Sequence, residues 1–237
     1  MIEKVLKARA NKTLGILARQ KFLGSFYMAG GTGCALHLGH RLSHDFDFFA
    51  PRKFGLCPIQ NSLRNQGSFV LDYSEANTLV GRFDRTKISF FYYPYPLLEE
   101  TIDIGGVRIA SLLDIGCMKI DAISSRGTKR DFVDLYFILN KLKIDLKSFF
   151  KYFEQKYGPA GFNRHHVLKS LIYFDDADKD PEPEMLVDYS WAEIKRFFNK
   201  SVTLGFKGFA GKAAPILKAF GSVDFAPDYD YKKARRK

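Results

Sequence analysis

Apolar residues recur at helical spacing through residues 2–22 (Ile2, Val5, Leu6, Ala10, Leu14, Leu17, Ala18), with Gly15 as a weak interruption, so the chain is expected to open on an amphipathic helix. The pattern then shortens. Phe26–Ala29 reads as a strand, Thr32 to Gly39 as a short helix, Asp45–Phe49 as a strand ended by Pro51, and Ile59–Gly67 as a helix. Phe69–Tyr73, Thr78–Phe83 and Lys87–Tyr93 are rich in β-branched and aromatic residues and predict three strands. Gly81 inside the middle strand marks a bulge or a close approach. Thr101–Ile109, with Gly105-Gly106 at its centre, predicts a small hairpin.

From Ser111 the period becomes helical. Ser111-x-x-Asp114 and Thr128-x-x-Asp131 resemble capping boxes with Asp in the final position, opening helices to Ser125 and over Lys129–Leu142. Leu146–Lys156 and Asn163–Phe174 predict further helices, Asp175–Glu184 an acidic loop, and Ser190-x-x-Glu193 the cap of a helix to Asn199. The expectation is an α/β (α+β) fold, a mixed sheet with flanking helices followed by a helical region. It divides as an α/β domain over 1–110, a helical domain over 111–200 that completes the active site, and an extension with a basic tail over 201–237.

Length and composition narrow this picture. At 237 residues, 46% hydrophobic and 27% charged, the chain is long enough to bury a core and reads as globular, with no run suited to crossing a membrane. The charged amphipathic N-terminus reads as a helix start and not as a signal peptide. Three cysteines without a Cys-x-x-Cys pair suit free thiols in a reducing cytoplasm. A formal charge of +11 favours a polyanionic partner, although five of the positive charges sit in Lys232–Lys237.

The chemistry concentrates in two clusters. In the first, Gly30-Gly31-Thr32 turns into a short helix, and Asp45 and Asp47 follow at i and i+2 of an aromatic strand. Side chains two apart on a strand share a face, where two hard oxygen ligands can hold a divalent cation against phosphate. Helix-opening N–H groups suit the anionic end of the same ligand. The turn lacks both the dinucleotide fingerprint and the P-loop Gly-Lys-Ser/Thr, so alone it leaves open the plainer reading of a tight strand-to-helix turn. Phe46, Phe48 and Phe49 argue against an exposed edge strand, and His40 and Arg41 could supply compensating charge without catalysis. The second cluster is Lys119, Arg126, Lys129, Arg130, Asp131 and Asp134, around one bend between helices. It would suit a triphosphate, or it is capping and ion pairing on a solvated surface. The histidines carry no metal-ligand spacing, His37 reads as packed or capped, and Trp191 reads as core.

Together these motifs resemble the AbiEii/AbiGii toxin family of nucleotidyltransferases. The resemblance is carried by Ala29-Gly-Gly-Thr32 with Leu36, His40-Arg41-x-Ser43-x-Asp45-x-Asp47-x-Phe49, and Lys119 with Arg126-Gly, Lys129-Arg-Asp-Phe-x-Asp-Leu-Tyr136. Tyr92-Tyr-Pro-Tyr-Pro96, Tyr173–Ala177 and Ser190-Trp191 are similar to one branch of it, and the likeness spans about residues 20–200. It implies a polymerase-β-like nucleotidyltransferase fold and the toxin of a bacterial toxin–antitoxin or abortive-infection pair. It also implies nucleoside triphosphate bound with Mg²⁺ (or Mn²⁺), an RNA acceptor such as the 3′ end of tRNA, and a cognate antitoxin. By position, Gly31 and Thr32 match the first motif, with Gly30, Arg41 and Ser43 beside the nucleotide. Asp45 and Asp47 match the metal ligands, Lys119 a phosphate contact, and Asp131 a further essential carboxylate with Arg126, Lys129, Arg130 and Asp134 around it. The wider fold carries a third metal carboxylate on a later central strand, where this chain has Ser89, with Asp84 in the preceding turn. Three readings follow: Asp131 substitutes, one metal suffices, or the protein transfers nothing. The rival functions are a non-catalytic nucleotide- or RNA-binding protein and a kinase-like phosphotransferase.

Overall fold

The computed structural model describes residues 2–206; the basic tail and most of the C-terminal extension lie outside the described residues. The opening amphipathic stretch forms α1 (Ile2–Val5) and α2 (Ala8–Ala18), then a 3₁₀ turn over Lys21–Ser25. The expected single helix divides at extended Lys7, where the Val5 carbonyl accepts from the Ser43 N–H instead of continuing the helix. Gly15 does not interrupt α2.

β1 (Tyr27–Met28), α3 (Gly30–Leu38), β2 (Phe46–Ala50), α4 (Leu56–Gln66), β3 (Phe69–Glu75), β4 (Thr78–Phe83), β5 (Thr86–Tyr92), β6 (Ile102–Ile104) and β7 (Val107–Ile109) follow in order. The strands form one mixed seven-stranded sheet, ordered β3-β4-β5-β2-β1-β7-β6. β2 lies parallel to β5 and antiparallel to β1, at the centre. Gly105 and Gly106 both take positive φ, the two-residue turn that suits a hairpin's twist. Gly81 is a close approach beside an irregularity in the β3–β4 register. A methyl there would lie 2.6 Å from the Val70 carbonyl oxygen.

The helical part is α5 (Leu112–Ser125), α6 (Lys129–Leu142), α7 (Leu146–Tyr157), α8 (Arg164–Ser170), α9 (Asp175–Lys179) and α10 (Trp191–Gly205). Side-chain caps from Ser111, Asp145, Asn163 and Ser190 start α5, α7, α8 and α10. Three expectations change. The acidic loop contains a helical turn, α9, opened by three Asp residues that suit a helix N-terminus. α8 stops at Ser170, and α10 runs beyond Asn199 because Phe198 and Val202 continue its buried stripe. Beyond α9 the chain forms a strap along the His40–His44 loop. Leu42 donates to the Glu184 carbonyl, Leu186 to the His40 carbonyl, and Arg41 bridges Met185.

Alternation on the central strands sorts the two faces. Phe46, Phe48, Ile88 and Phe90 are fully buried on one face, where Phe48 and Phe90 stack at 5.1 Å and Phe22 and Phe26 pack edge-on. The opposite face carries Asp47, Phe49, Lys87, Ser89 and Phe91, beside α3 and α5.

A buried carboxylate fastens the helices to the sheet. Asp134, on α6, is fully buried. It accepts from Arg41 Nε at 2.7 Å, Arg41 Nη2 at 2.8 Å and His40 Nε2 at 2.8 Å, and lies 2.6 Å from the Lys119 ammonium. Burial alone would raise its pKa. Lys119 and Arg41 outweigh that and hold it well below the usual carboxylate range. A group depressed in the folded state stabilises the fold at pH values above the unfolded carboxylate pKa, near 3.9, and loses that contribution as pH falls below it. Removing one partner of a buried ion pair typically costs about 3–5 kcal/mol. Urea unfolding of Asp134→Ala is therefore expected to show a loss of about that size at pH 7, with the gap from wild type narrowing as pH falls below about 4. An undiminished midpoint at pH 7 would refute the role given to Asp134.

Candidate functional site

The polar face of the central strands floors a cleft of about 740 Å³, within the range of small-ligand sites. Its walls are the start of α3, the second half of α5 and the α5–α6 bend. Asp45 stands just before β2 and Asp47 within it. Both are half-buried on the cleft side, while Phe46 and Phe48 point into the core. The aromatic neighbours therefore anchor the strand, and the carboxylates face the opening.

The glycine pair makes room for this arrangement. Gly30 has φ +64°, which a side chain seldom adopts, and a methyl on it would lie 2.9 Å from Asp47 Oδ2. A methyl on Gly31 would lie 2.5 Å from Arg41 Nη2, which Asp134 holds in place. The pair thus admits a carboxylate and a guanidinium to the helix start, where the first N–H groups of α3 have no intrahelical partner. Thr32 is buried. Its hydroxyl donates to the Asp45 carbonyl and lies 2.7 Å from the Ser43 hydroxyl, so it fixes the strand entrance.

Asp47 has a raised pKa. Burial is the main cause, opposed by the hydroxyl of Ser89 and augmented by Asp45; Lys119 and Lys87 pull the other way. Ser89 is its register partner on β5. With Asp45 two residues away on the same cleft face, Asp47 completes a pair of hard oxygen donors suited to a divalent cation.

The second cluster divides. Asp131 is buried at the cleft wall and receives Lys119 Nζ at 2.9 Å, Arg126 Nε at 2.8 Å and the Thr128 hydroxyl at 2.7 Å. Burial raises its pKa, but Lys119 and Arg126 together drive it below the usual range, which makes Asp131 a weak proton acceptor. The Thr128 hydroxyl is spent on that carboxylate and does not cap α6 as the sequence pattern suggests. Ser111 and Asp114 do form their cap, and Asp114 also takes the buried Lys156 ammonium at 2.6 Å.

Lys119 touches both Asp131 and Asp134, yet still lines the cleft. Burial would lower its pKa; the two carboxylates raise it, so its charge is secure. Arg126 and Arg130 line the cleft from the bend and are exposed. Lys129 and Asp134 are not brought to the wall. Lys129 is buried, reaching Glu182 at 2.6 Å and lying 5.6 Å over the Trp191 ring. Asp134 is the buried anchor. His40 and Arg41, which could have compensated Asp45 and Asp47, bond Asp134 instead.

Two cleft residues escaped sequence reasoning, Lys87 and Asp121. Lys87 could have been found by alternation, since it is two residues from Ser89. Asp121 is two from Lys119 on a helix, which normally turns a side chain to another face. His37 Nε2 bonds the Ala110 carbonyl at 2.8 Å, as a packed histidine does. Cys34, His40 and Asp134 bring possible ligand atoms within 4.8 Å of one another. Arg41 and Lys119 already occupy that carboxylate, and a metal ion would meet two buried cations there.

Residues 91–205, from the end of β5 through α10, match the family model described as nucleotidyl transferase AbiEii toxin, type IV TA system. The uncharacterized protein aq_aa25 of Aquifex aeolicus is 37% identical over 201 residues, covering 83% of this chain and 96% of that one. MenT4, a nucleotidyltransferase toxin from Mycobacterium tuberculosis, shares the fold with a TM-score of 0.52 at 14% identity, over 85% of this chain and 86% of its own. With a seven-stranded mixed sheet, a paired-aspartate strand beside a glycine-opened helix, and these relatives, the chain belongs to the nucleotidyl transferase AbiEii toxin family and is a nucleotidyltransferase.

Proposed function

We propose that this enzyme transfers the monophosphate of a nucleoside triphosphate to the 3′ hydroxyl of an RNA, with tRNA as acceptor and Mg²⁺ or Mn²⁺ bound by Asp45 and Asp47. In the cytoplasm this would arrest growth until a cognate antitoxin opposes it. The observation that supports the reading is the pair of carboxylates, Asp45 and Asp47, on one cleft face directly beside the glycine-opened start of α3. No described helix is long and apolar enough to cross a membrane.

The residues present fit a divalent cation. Asp45 and Asp47 are hard donors, and a cation relieves the strain that burial and mutual repulsion place on Asp47. Bound there, the ion would supply Lewis-acid polarisation of phosphoryl oxygens. The protein does the rest. The α3 N–H groups and the ammonium of Lys119 receive phosphate oxygens, and Arg126 and Arg130 neutralise the distal phosphates at the mouth. In the transfer itself, the RNA oxygen bonds the α-phosphorus, the bond to the β-phosphate breaks, pyrophosphate leaves, and the hydroxyl proton passes to water. Asp131 keeps Lys119 and Arg126 in place and takes no proton. Rate arises from positioning and fixed charge.

Purified protein with labelled nucleotides and tRNA is expected to yield a nucleotide-sized mass increase on the RNA. Asp45→Asn and Asp47→Asn should each lower this by about 100-fold or more, and should relieve growth arrest. Arrest by Asp45→Asn at wild-type strength would refute the mechanism, nucleotide binding without pyrophosphate release would favour a non-catalytic binder, and a phosphate-sized increase a kinase-like reaction. A second expectation follows from the raised pKa of Asp47. Its charge costs stability wherever pH exceeds the unfolded carboxylate pKa, so Asp47→Asn should melt higher than wild type in metal-free buffer at pH 7. Calorimetry checks the sign.

A further inference from the structure

The central strands present an unusual donor set to the cleft. Asp45, just before β2, and Asp47, within it, are the carboxylates. Across the parallel register, β5 offers the hydroxyl of Ser89 opposite Asp47 and, two residues earlier on the same face, the ammonium of Lys87. β5 is fixed in this register because Ile88 and Phe90 are fully buried on its other side, so Lys87 cannot turn inward without a slip of the whole strand. Lys87 is exposed, and its ammonium makes no hydrogen bond or ion pair among the described residues. Its charge nevertheless acts on Asp47.

A symmetric pair of divalent cations clamping a phosphoryl group needs carboxylates enough to hold both ions a few ångströms apart. Here two carboxylates serve the strand floor. Of the other cleft carboxylates, Asp131 is taken up by Lys119, Arg126 and Thr128, and Asp121 on α5 acts on the Tyr93 and Tyr157 hydroxyls, whereas the charges acting on Asp47 are Asp45, Lys119 and Lys87. A second divalent ion beside Asp47 would also face the Lys87 ammonium. We infer that this enzyme works with one divalent cation, and that Lys87 supplies from β5 the second positive charge on the transferring phosphoryl group. An ammonium suits the task, being a compact point charge on a flexible stem that reaches a phosphate oxygen without exchanging a proton. This role rests on the transferase reading above and adds to it the number of cations and a residue that touches the substrate.

The test joins a binding measurement to kinetics. Mn²⁺ titrated calorimetrically into full-length protein saturated with a non-hydrolysable nucleoside triphosphate, and corrected for Mn²⁺ binding to the nucleotide alone, is expected to fill one site per chain. Lys87→Ala should keep the wild-type melting temperature. It should lower kcat for nucleotide transfer by about 30- to 1000-fold while changing KM for the triphosphate by less than about threefold, and Lys87→Arg should recover at least about a tenth of the loss. Two Mn²⁺ per chain, or a Lys87→Ala enzyme with wild-type kcat, overturns the inference and leaves the transferase reading standing. A wild-type protein that takes up one Mn²⁺ with nucleotide but modifies no RNA overturns the reading itself, and Lys87's catalytic role with it.

Discussion

One buried carboxylate organises this molecule. Asp134 receives Arg41 and His40 from the loop between α3 and β2, and Lys119 from α5, while standing on α6. Its removal would take the carboxylate from the buried His40 and Arg41 and leave Lys119 to Asp131 alone, so these elements hold together or fail together. The consequences reach the cleft. Arg41 lies against Gly31 while Asp134 grips it from behind, and Lys119 can face the cleft with a secure charge because two carboxylates stabilise the ammonium. The ion network is thus a frame for the site, with its outermost donors left to the ligand.

The same economy explains why the second cluster separates in space. In sequence the six charged residues of that cluster look like one phosphate-binding patch. Folded, they alternate between work in the frame and work at the wall. Asp134 and Lys129 turn inward, the latter toward Glu182 and Trp191. Arg126 and Arg130 turn outward. Asp131 and Lys119 stand between, and their tight mutual bonding makes them positioning groups more than proton carriers.

Much of the fold was legible because local patterns agreed with tertiary demands. The alternation of Phe46 and Phe48 with Asp45 and Asp47, the Gly105-Gly106 hairpin, and the period of α5 and α6 each carry a single physical meaning, and the structure keeps it. Other features were decided by distant partners. α1 and α2 separate because Val5 bonds Ser43. α9 forms in a stretch that composition marks as a loop, and Thr128 abandons a cap for Asp131. In the site, the paired aspartates and the glycine turn were readable from spacing. The purpose of the glycines was not, because the atoms they clear, on Asp47 and Arg41, come from ten or more residues away in sequence. Lys87 was hidden by an unremarkable strand, and becomes meaningful only beside Ser89 and the β2 register.

The strap along the His40–His44 loop has a consequence in time. That loop carries Arg41 and leads directly into Asp45, yet its backbone partners are Glu184, Met185 and Leu186, more than 140 residues later. A chain emerging from the ribosome can pair β1 and β2 early, but Asp134 and then the strap follow β2 only after many further residues have been added. The cleft is therefore completed only once residues 184–186 have been made, long after its two aspartates and its glycine turn.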